Sequence, residues 1–272
     1  MSKPMPSLKS RMRGPTDSSS GNANKGELLL GSWLSWSYGQ VTEMVAKSGL
    51  DFVVVDMEHT STGTAGMAEQ LQLIDLCGVA PLVRVGANDP LLIKRALDAG
   101  AHGVIVPMVC SAEEAKAAVS AVHYPPVGTR GVGLSRAQGF GMSFDAYRES
   151  AADTLVTIVQ IEHHEAVARL DEILAVDGVD GWIVGPYDLS GSLGKPGQFD
   201  DPEVASAMTR VEDLMKVHDK PGGFHVVHPD HDHLRRCVDK GARLLAYGTD
   251  MLFLAHMLQR ELGFLRSLKS PG

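Results

Sequence analysis

The stretch Asp51-Phe52-Val53-Val54-Val55-Asp56, written DFVVVD, is the part of this chain that most clearly indicates its fold class. Its four consecutive apolar residues lack the alternation of a strand that has one face in water. Such a run indicates a strand of a parallel sheet that is covered on its outer face. Further short apolar runs predict strands at Leu28–Leu34, Ala80–Val85, Gly103–Val106, Leu155–Ile161, Gly181–Val184, Gly222–Val226 and Leu244–Tyr247.

Stretches with helical patterning follow each predicted strand, and some carry start signals. In Asn88-Asp89-Pro90, for example, Asp can cap a helix and Pro stands at its first position. The predicted helices are Gln40–Lys47, Ala65–Leu76, Pro90–Leu97, Ala112–Val122, Glu165–Leu174, Glu203–Val217, His231–Lys240 and Asp250–Leu268. About eight strand–helix units predict an α/β fold, a single (β/α)₈ TIM barrel over residues 28–272. The rival architecture, a doubly wound open sheet, is weakened because no GxGxxG follows the first strand.

Two segments interrupt this pattern. Residues 1–27 are predicted to form an N-terminal tail, in which the polar stretch Pro15–Lys25 (PTDSSSGNANK) forms a flexible loop. Between His123 and Ser150 the chain makes a long, glycine-containing excursion, and loops of that length are usually functional or disordered. It precedes the fifth strand, away from the loops of the barrel top, which favours a role as an interface or a lid.

The composition narrows the classes of function. The 272 residues are 44% hydrophobic and 21% charged, with a net charge of −8 and no Lys/Arg cluster, which argues against a nucleic-acid partner. No apolar run is long enough to span a membrane. The three cysteines, Cys77, Cys110 and Cys237, are far apart, so neither a disulfide framework nor a thiolate metal site is indicated. We therefore expect a cytoplasmic protein.

Polar residues collect at the carboxyl ends of the predicted strands, where barrel enzymes carry their active sites. They are Asp56, Glu58 and His59 after the second strand, Arg84 on the third, Gln160 and Glu162 on the fifth, and Gly185-Pro186-Tyr187-Asp188 after the sixth. Several of these residues also have a structural interpretation: Asp188 could cap the turn that follows it, Arg84 could form a salt bridge, and His59 could be an ordinary loop histidine. Glu162 is the hardest to explain in this way, because a charge directly after a buried strand must be paired or bound to a metal.

The ligand types at this end of the barrel suit a hard cation. Two carboxylates, a nearby amide and no cysteine favour Mg²⁺ or Mn²⁺, with Co²⁺ as a further candidate and no organic cofactor. No lysine lies at a barrel-top strand end, so an imine-forming mechanism is disfavoured and activation is expected from the metal. The histidine-rich stretch from His225 to His233 is interpreted as a solvated loop and helix start, with His225 placed to touch substrate.

Taken together, these segments resemble the HpcH/HpaI family of class II pyruvate aldolases, typified by 4-hydroxy-2-oxoheptanedioate aldolase. The resemblance extends in order from Leu28 to Asp250, and SLKSRMRG near the amino terminus is similar to the short first helix of the family. The matching segments are LLLGSWL, GLDFVVVDMEH, PLVRVGANDP, IKRALDAGA, VIVPMV, YPPVGTRGVG, VQIEHHEAV, VDGWIVGPYDLSGSLG and GARLLAYGTD.

The resemblance implies a role for each matching residue. Glu162 and Asp188 would be the metal ligands, and Arg84 would hold the keto and enolate oxygen. His59 would be the acid/base residue, with Asp98 as its orienting partner. The substrate-binding positions would be Trp33, Gln160, Gly185, Pro186 and His225. At His225 the family often has an aliphatic residue, which leaves the aldehyde specificity open.

The resemblance also implies assembly. Asp98 lies near the end of the third predicted barrel helix, at the bottom of the barrel, and therefore cannot easily reach His59 in its own subunit. We expect that pair to form across a subunit interface. Family members exchange the last helix, here Asp250–Leu268, between subunits and form hexamers as trimers of dimers, although the apolar side of that helix could also simply pack on the barrel.

The expected reaction makes or breaks the C3–C4 bond of a 4-hydroxy-2-oxo acid through a metal-bound pyruvate enolate, with a 2-oxo acid and an aldehyde as partners. Arg84 and a divalent metal would stabilise the negative charge. Two alternatives on the same barrel remain open, an oxaloacetate-type decarboxylase and a CoA-ester lyase. The latter would need a basic track for nucleotide phosphates, which the sequence lacks. A non-catalytic binding protein is disfavoured by the intact set Arg84, Glu162 and Asp188.

Overall fold

The structure is a computed structural model, and it describes residues 6–14 and 26–269. Its strands, in chain order, are β1 (Leu29–Leu34), β2 (Phe52–Asp56), β3 (Ala80–Arg84), β4 (Gly103–Val106), β5 (Val156–Ile161), β6 (Gly181–Val184), β7 (Gly222–Val226) and β8 (Leu244–Thr249). Each strand pairs in parallel with the next, and β8 pairs with β1, which closes the barrel. The TIM barrel predicted from the sequence is confirmed, and the predicted strands differ from the observed ones by no more than a residue or two at their ends.

Helices follow the strands on the outside of the barrel, except for the first helix, which precedes β1. They are α1 (Leu8–Arg13), α2 (Gly39–Ala46), α3 (Thr64–Leu76), α4 (Pro90–Asp98), α5 (Ala112–Val122), α6 (Phe144–Thr154), α7 (His164–Ala168), α8 (Leu170–Leu174), α9 (Pro186–Ser192), α10 (Pro202–Val217), α11 (His231–Asp239) and α12 (Asp250–Ser267). The Asp89 side chain caps α4 by accepting from the backbone N–H of Leu91 and Leu92, with Pro90 at the start of the helix, as its sequence predicts.

The structure departs from the sequence-based expectation in three places. One is the short helix α9, because no helix was predicted over Pro186–Ser192. The single helix predicted over Glu165–Leu174 is interrupted at Arg169, whose backbone is non-helical, and forms α7 and α8 instead. The long excursion contains a 3₁₀ helix (Arg136–Gly141) and α6. Ala151 is the only residue of α6 that is buried, so its sequence carries little of the apolar periodicity by which helices are recognised.

The inside of the barrel is apolar below and polar above. Side chains alternate along each strand, and the inward-facing ones form an apolar cluster that includes Phe52, Val54, Leu82, Ile158 and Ile183. The next inward position on a strand is two residues further along. On β2, β3 and β5 these positions are polar, namely Asp56, Arg84 and Gln160. The packed lower layers hold the strands rigidly, so the polar side chains above them are presented at fixed positions.

Helix α1 closes the amino-terminal end of the barrel. Met12 is 1% exposed and belongs to the same interior cluster. Lys9 is also buried; its Nζ lies 3.1 Å from a carboxylate oxygen of Asp180 and donates to the Leu155 carbonyl at 2.9 Å. Part of the predicted tail is thus an integral closure of the barrel, while the loop predicted at Pro15–Lys25 lies outside the described residues.

Helix α12 makes little contact with the barrel of its own chain. Asp250 is the only buried residue of the helix, and it accepts from the backbone N–H groups of Ser35 and Trp36 at 2.9 and 3.0 Å. Large apolar side chains along the rest of the helix are exposed, namely Met251, Phe253, Leu254, Met257, Leu258, Leu262, Phe264 and Leu265. Packing of this helix on its own barrel, one of the two sequence-based interpretations, therefore does not account for its apolar side.

None of the helices in the described part of the chain combines the length and the apolar character that crossing a membrane requires.

Candidate active site

The carboxyl ends of β2 and β3 carry an arginine that two carboxylates hold in place. Asp56 and Arg84 are register partners on these neighbouring strands. Arg84 donates from Nε and Nη2 to the two carboxylate oxygens of Asp56, at 2.9 and 2.7 Å. Its Nη1 lies 3.3 Å from Oε2 of Glu58. Such a two-pronged ion pair fixes the plane of the guanidinium as well as its position.

The charges of this network stabilise some of its members and oppose others. Burial by itself would raise the pKa of Asp56, but the hydrogen bonds and positive charge of Arg84 outweigh burial and hold that pKa below its usual range. Burial raises the pKa of Glu58, with a further contribution from the negative charge of Glu162 that Arg84 only partly offsets. The negative charges of Glu58 and Glu162 therefore lie close enough to affect each other at the mouth.

Glu162, directly after β5, is a buried carboxylate, 4% exposed. Its Oε1 accepts from the backbone N–H of Met108 at 2.7 Å, and its Oε2 accepts from the side-chain amide of Gln160. Burial raises its pKa, the two hydrogen bonds lower it, and the charge of Asp188 raises it further, so that the net shift is upward. In surroundings so poor in water, a carboxylate is stabilised by a bound cation.

Asp188 lies in the first turn of α9, next to Glu162. The two side chains converge on Gly185. A Cβ built there would lie 3.0 Å from Oε2 of Glu162 and 3.6 Å from Oδ2 of Asp188. Both acids also line one cavity of about 380 Å³. Within residues 6–14 and 26–269, no lysine or arginine forms an ion pair with either of them.

This arrangement fits a hard divalent cation. It offers oxygen ligands from two carboxylates, a neighbouring amide oxygen on Gln160, and open volume for water and substrate oxygens, which is how Mg²⁺ and Mn²⁺ are commonly held. A second group of side chains able to hold a metal ion follows Glu162 in the sequence. It consists of His163, which precedes α7, and of His164 and Glu165 in the first turn of that helix. The latter two are exposed, and the His163 and His164 rings lie 4.4 Å apart.

Trp33 and His225 form the wall of the mouth beside Arg84. The Arg84 guanidinium lies over the Trp33 ring, 4.5 Å from its centre, and the imidazole of His225 lies 4.8 Å from the same ring on a tilted plane. Burial, together with the positive charge of Arg84, lowers the pKa of His225 to about 4. The imidazole is therefore neutral at physiological pH.

His59 and Asp98 lie at opposite ends of the barrel in one chain. The His59 side chain is 66% exposed, and its Nε2 is 3.5 Å from Oε2 of Glu58. Asp98 ends α4, where it accepts from Arg130 at 2.6 Å and from Gln138 at 3.4 Å. The position foreseen for Asp98, at the bottom face, is confirmed, whereas its pairing with His59 of another subunit stays a prediction.

Three contributors to this site were not assigned a role from the sequence. Asp56 and Glu58 were noted at the strand end, but their grip on Arg84 depends on the pairing of β2 with β3. Met108 has a φ of 53°, an unfavourable value for a residue with a side chain, and this bend directs its N–H to Glu162. The sequence contains no glycine or asparagine at this position that would have signalled the bend.

A larger cavity, of about 690 Å³, lies at the other end of the barrel. It is bordered by α1, by the starts of β3 and β5, and by the 3₁₀ helix of the excursion, including Arg11, His102 and Arg136. These basic side chains lie next to acids, Arg11 beside Asp51 and both others beside Asp75. Since active sites of TIM barrels lie at the carboxyl ends of the strands, size alone does not make this cavity the functional site.

The sequence of this chain was compared with models of known protein families. The model of the HpcH/HpaI aldolase/citrate lyase family matches residues 29–257, from the first residue of β1 into α12. The chain belongs to this family. The family resemblance noted in the sequence is thereby confirmed, and with it the expectation of an enzyme of the aldehyde-lyase class.

Individual relatives of this HpcH/HpaI chain are similar over nearly its whole length. A pyruvate aldolase of Rhizobium etli is 41% identical over 231 residues, which is 85% of this chain and 90% of the relative. A 2-keto-3-deoxy-L-rhamnonate aldolase of Escherichia coli K12 is 37% identical, over 90% of this chain and 92% of the relative. The crystal structure of an HpcH/HpaI aldolase/citrate lyase family protein from Burkholderia cenocepacia superposes with a TM-score of 0.83 at 35% identity, covering 88% and 95% of the two chains.

Proposed function

We propose that this HpcH/HpaI family member is a divalent-metal-dependent aldolase that cleaves or forms 4-hydroxy-2-oxo acids through the enolate of pyruvate. The observation that carries the proposal is the convergence of Glu162 and Asp188 on Gly185, where neither acid has an ion-pair partner among the described lysines and arginines. The names of the pyruvate and 2-keto-3-deoxy-L-rhamnonate aldolases support the reaction type. Both names describe enzymes whose reaction involves a 2-oxo acid.

Glu162 and Asp188 would hold the metal, which we propose to be Mg²⁺ or Mn²⁺, with Co²⁺ as a further candidate. Once bound, such an ion supplies Lewis acidity that stabilises negative charge on the keto oxygen of the substrate. Gln160 donates its amide N–H to Glu162. In this proposal it would sit beside the metal and the pyruvate. The Gly185 N–H already donates to the Ile161 carbonyl at 3.2 Å, so the backbone after Gly185 and Pro186 is left to receive the substrate carboxylate.

Arg84 is the residue that we assign to the enolate oxygen. Asp56 and Glu58 fix its guanidinium, so no reorientation is needed when the C3–C4 bond breaks and charge moves to the oxygen. His59, exposed at the mouth, removes the proton of the C4 hydroxyl and returns a proton to C3. Glu58 lies next to it in the same chain, and we propose that Asp98 of a second subunit completes its orientation.

The enzyme is proposed to act as a homo-oligomer, a hexamer built as a trimer of dimers. The exposed apolar side of α12 favours exchange of this helix between subunits, because a large apolar patch of this kind usually marks an interface. The excursion also exposes large apolar residues, including Val132, Leu134, Phe140 and Met142. Partners other than small molecules are not proposed, and a cytoplasmic location stays a prediction.

The decisive experiment couples metal binding to chemistry. Protein freed of metal by chelation should release no pyruvate from 4-hydroxy-2-oxo acids, and activity should return with Mg²⁺, Mn²⁺ or Co²⁺. Because Glu162 supplies a ligand, Glu162→Gln should lose measurable metal binding in calorimetry and lower kcat by orders of magnitude. Glu165→Gln, three residues along and exposed, is the matched control and should retain both properties.

Two results would contradict the proposal. Full turnover after exhaustive chelation would exclude the metal. Loss of metal binding in Glu165→Gln, with binding retained in Glu162→Gln, would move the ion to the group formed by His163, His164 and Glu165. Oxaloacetate belongs in the substrate panel, since its decarboxylation passes through the same enolate and would separate the two activities by their kcat/KM values.

A further inference from the structure

The imidazole of His225, which interacts with the backbone of Gly248, has one nitrogen that lacks a partner inside the barrel mouth. Its Nε2 is buried and forms no hydrogen bond with any described residue. The side chain as a whole keeps part of its surface open at the mouth. A buried nitrogen in this situation is costly in the free protein, and a ligand that supplies the missing hydrogen bond removes that cost.

The position of His225 shows which part of a substrate it would meet. Arg84 and His225 both pack against the Trp33 ring, at 4.5 Å and 4.8 Å from its centre. In the proposed function Arg84 holds the keto oxygen, on C2 of the pyruvate half. In that function His225, the second group packed on Trp33, is assigned to the fragment that is joined beyond C3, which is the aldehyde.

The charges at the mouth exclude one class of aldehyde. A second carboxylate on the aldehyde would need a cation of its own, because Arg84 is assigned to the keto oxygen and its charge is already shared with Asp56 and Glu58. Glu162 adds a further negative charge to the same mouth. His225 cannot supply the cation, because burial and the charge of Arg84 hold its pKa at about 4 and keep it neutral.

A neutral imidazole carries one donor and one acceptor, and a hydroxyl group complements either of them. We propose that His225 hydrogen-bonds a hydroxyl group of the aldehyde and thereby selects uncharged hydroxyaldehydes over alkyl aldehydes of the same size and over aldehydes that carry a carboxylate. This inference rests on the proposed function, because it assigns the substrate class of that same site.

The test measures how fast the metal-loaded enzyme joins pyruvate to each of three aldehydes of nearly equal size. Glycolaldehyde carries the hydroxyl, propanal replaces it by a methyl group, and glyoxylate carries a carboxylate. The measured quantity is the ratio of kcat/KM for glycolaldehyde to that for propanal in each protein, since intrinsic reactivity cancels when proteins are compared. A site that hydrogen-bonds a substrate hydroxyl discriminates strongly against its absence, so His225→Leu should lower the ratio by about tenfold or more.

Two further variants make the result specific. His225→Gln keeps an amide that can donate and accept, and should retain part of the preference that His225→Leu loses. His233→Leu changes an exposed histidine of α11 and should leave the ratio unchanged. An unchanged ratio in His225→Leu would overturn the inference, and so would a wild-type preference for glyoxylate that disappears in that variant.

Failure of the inference can be told apart from failure of the proposed function. Exchange of the pyruvate methyl protons in D₂O, followed by NMR with metal and without any aldehyde, reports enolisation alone. Exchange by the wild-type enzyme together with an aldehyde ratio that His225→Leu does not change overturns only the role of His225. Absence of exchange with every metal overturns both.

Discussion

Replacement of Asp56 by Asn tests whether the ion pair between Asp56 and Arg84 is needed to hold the arginine at the mouth and to stabilise the fold. The Asn amide would present its NH₂ to one of the two Arg84 nitrogens that now donate at 2.9 and 2.7 Å, and would remove the charge. The two side chains are only 7% and 11% exposed, so water cannot replace the lost partner. Breaking such a pair costs roughly 3–5 kcal/mol. Because Glu58 remains 3.3 Å from Arg84, we expect a loss near the lower end, about 3 kcal/mol.

The dependence on pH gives this prediction its sharpest form. Burial raises the pKa of Asp56 but Arg84 outweighs it, so the folded-state pKa lies below the unfolded one, which is about 3.9. The corresponding stability is present above the unfolded pKa and lost as the pH falls through the folded pKa. The deficit of Asp56→Asn, measured by urea unfolding at fixed protein concentration, should therefore be largest at pH 7 and should shrink below about pH 4.

The activity of the same variant provides a second readout. A guanidinium that has lost its orienting partner is misplaced, and we expect metal-dependent pyruvate exchange to fall on the order of 100-fold in kcat/KM. Asp145→Asn is the control, because Asp145 is 83% exposed and its ion pair with Arg148 is 3.7 Å long. It should change stability by less than about 1 kcal/mol. Equal deficits for Asp56→Asn at pH 7 and pH 3, or a loss as small as that of the control, would refute the reasoning.

Two further substitutions test the ends of the barrel. Lys9→Met removes the buried one of the two cations paired with Asp180, where the Lys9 and Asp180 side chains are each 3% exposed. The half-exposed Arg13 remains 3.3 Å from Asp180, so we expect a cost at the lower end for such a pair, roughly 3 kcal/mol in urea unfolding. The double variant Lys9→Met/Asp180→Asn should recover part of this loss, whereas a loss below about 1 kcal/mol in the single variant would show that α1 does not hold the barrel closed. Gly185→Ala places a methyl group 3.0 Å from Oε2 of Glu162 and should weaken Mn²⁺ binding about tenfold or more in calorimetry. Gly191→Ala is the control, because a Cβ there meets nothing within 4 Å, and it should leave Mn²⁺ binding unchanged. Equal Mn²⁺ affinities in the two variants would argue against a metal at Gly185.

The candidate site stores an electrostatic cost that a bound cation would remove. Burial raises the pKa values of Glu58 and Glu162, and the negative charge of Glu162 adds to the rise at Glu58 as that of Asp188 does at Glu162. Keeping both acids charged therefore destabilises the folded protein when no cation is bound. Stability alone would favour an amide or an apolar residue at these positions. A divalent ion removes the cost at Glu162, and so links folding stability to metal binding in the same way as any ligand that binds only the folded state.

The barrel and the set of polar residues at its mouth could be predicted from the sequence alone. Runs such as Phe52–Asp56 have the apolar continuity of covered parallel strands, and the residue that follows such a run must lie at the carboxyl end. Glu162 could be identified for that reason, since a charge directly after a buried strand must be paired or bound to a metal. Segments with weak periodicity, above all α6, could not be predicted in this way.

Which of these residues meet depends on the tertiary structure. The pair Asp56–Arg84 depends on the register of β2 against β3, and the convergence of Glu162 and Asp188 depends on the missing side chain at Gly185. Nε2 of His225 has no hydrogen-bond partner among the described residues, and this too depends on how the neighbouring elements pack around the ring. Sequence patterns report the environment of one residue at a time, whereas these contacts join residues that are brought together when the chain folds and the barrel closes, and their distances are set by strand pairing and packing.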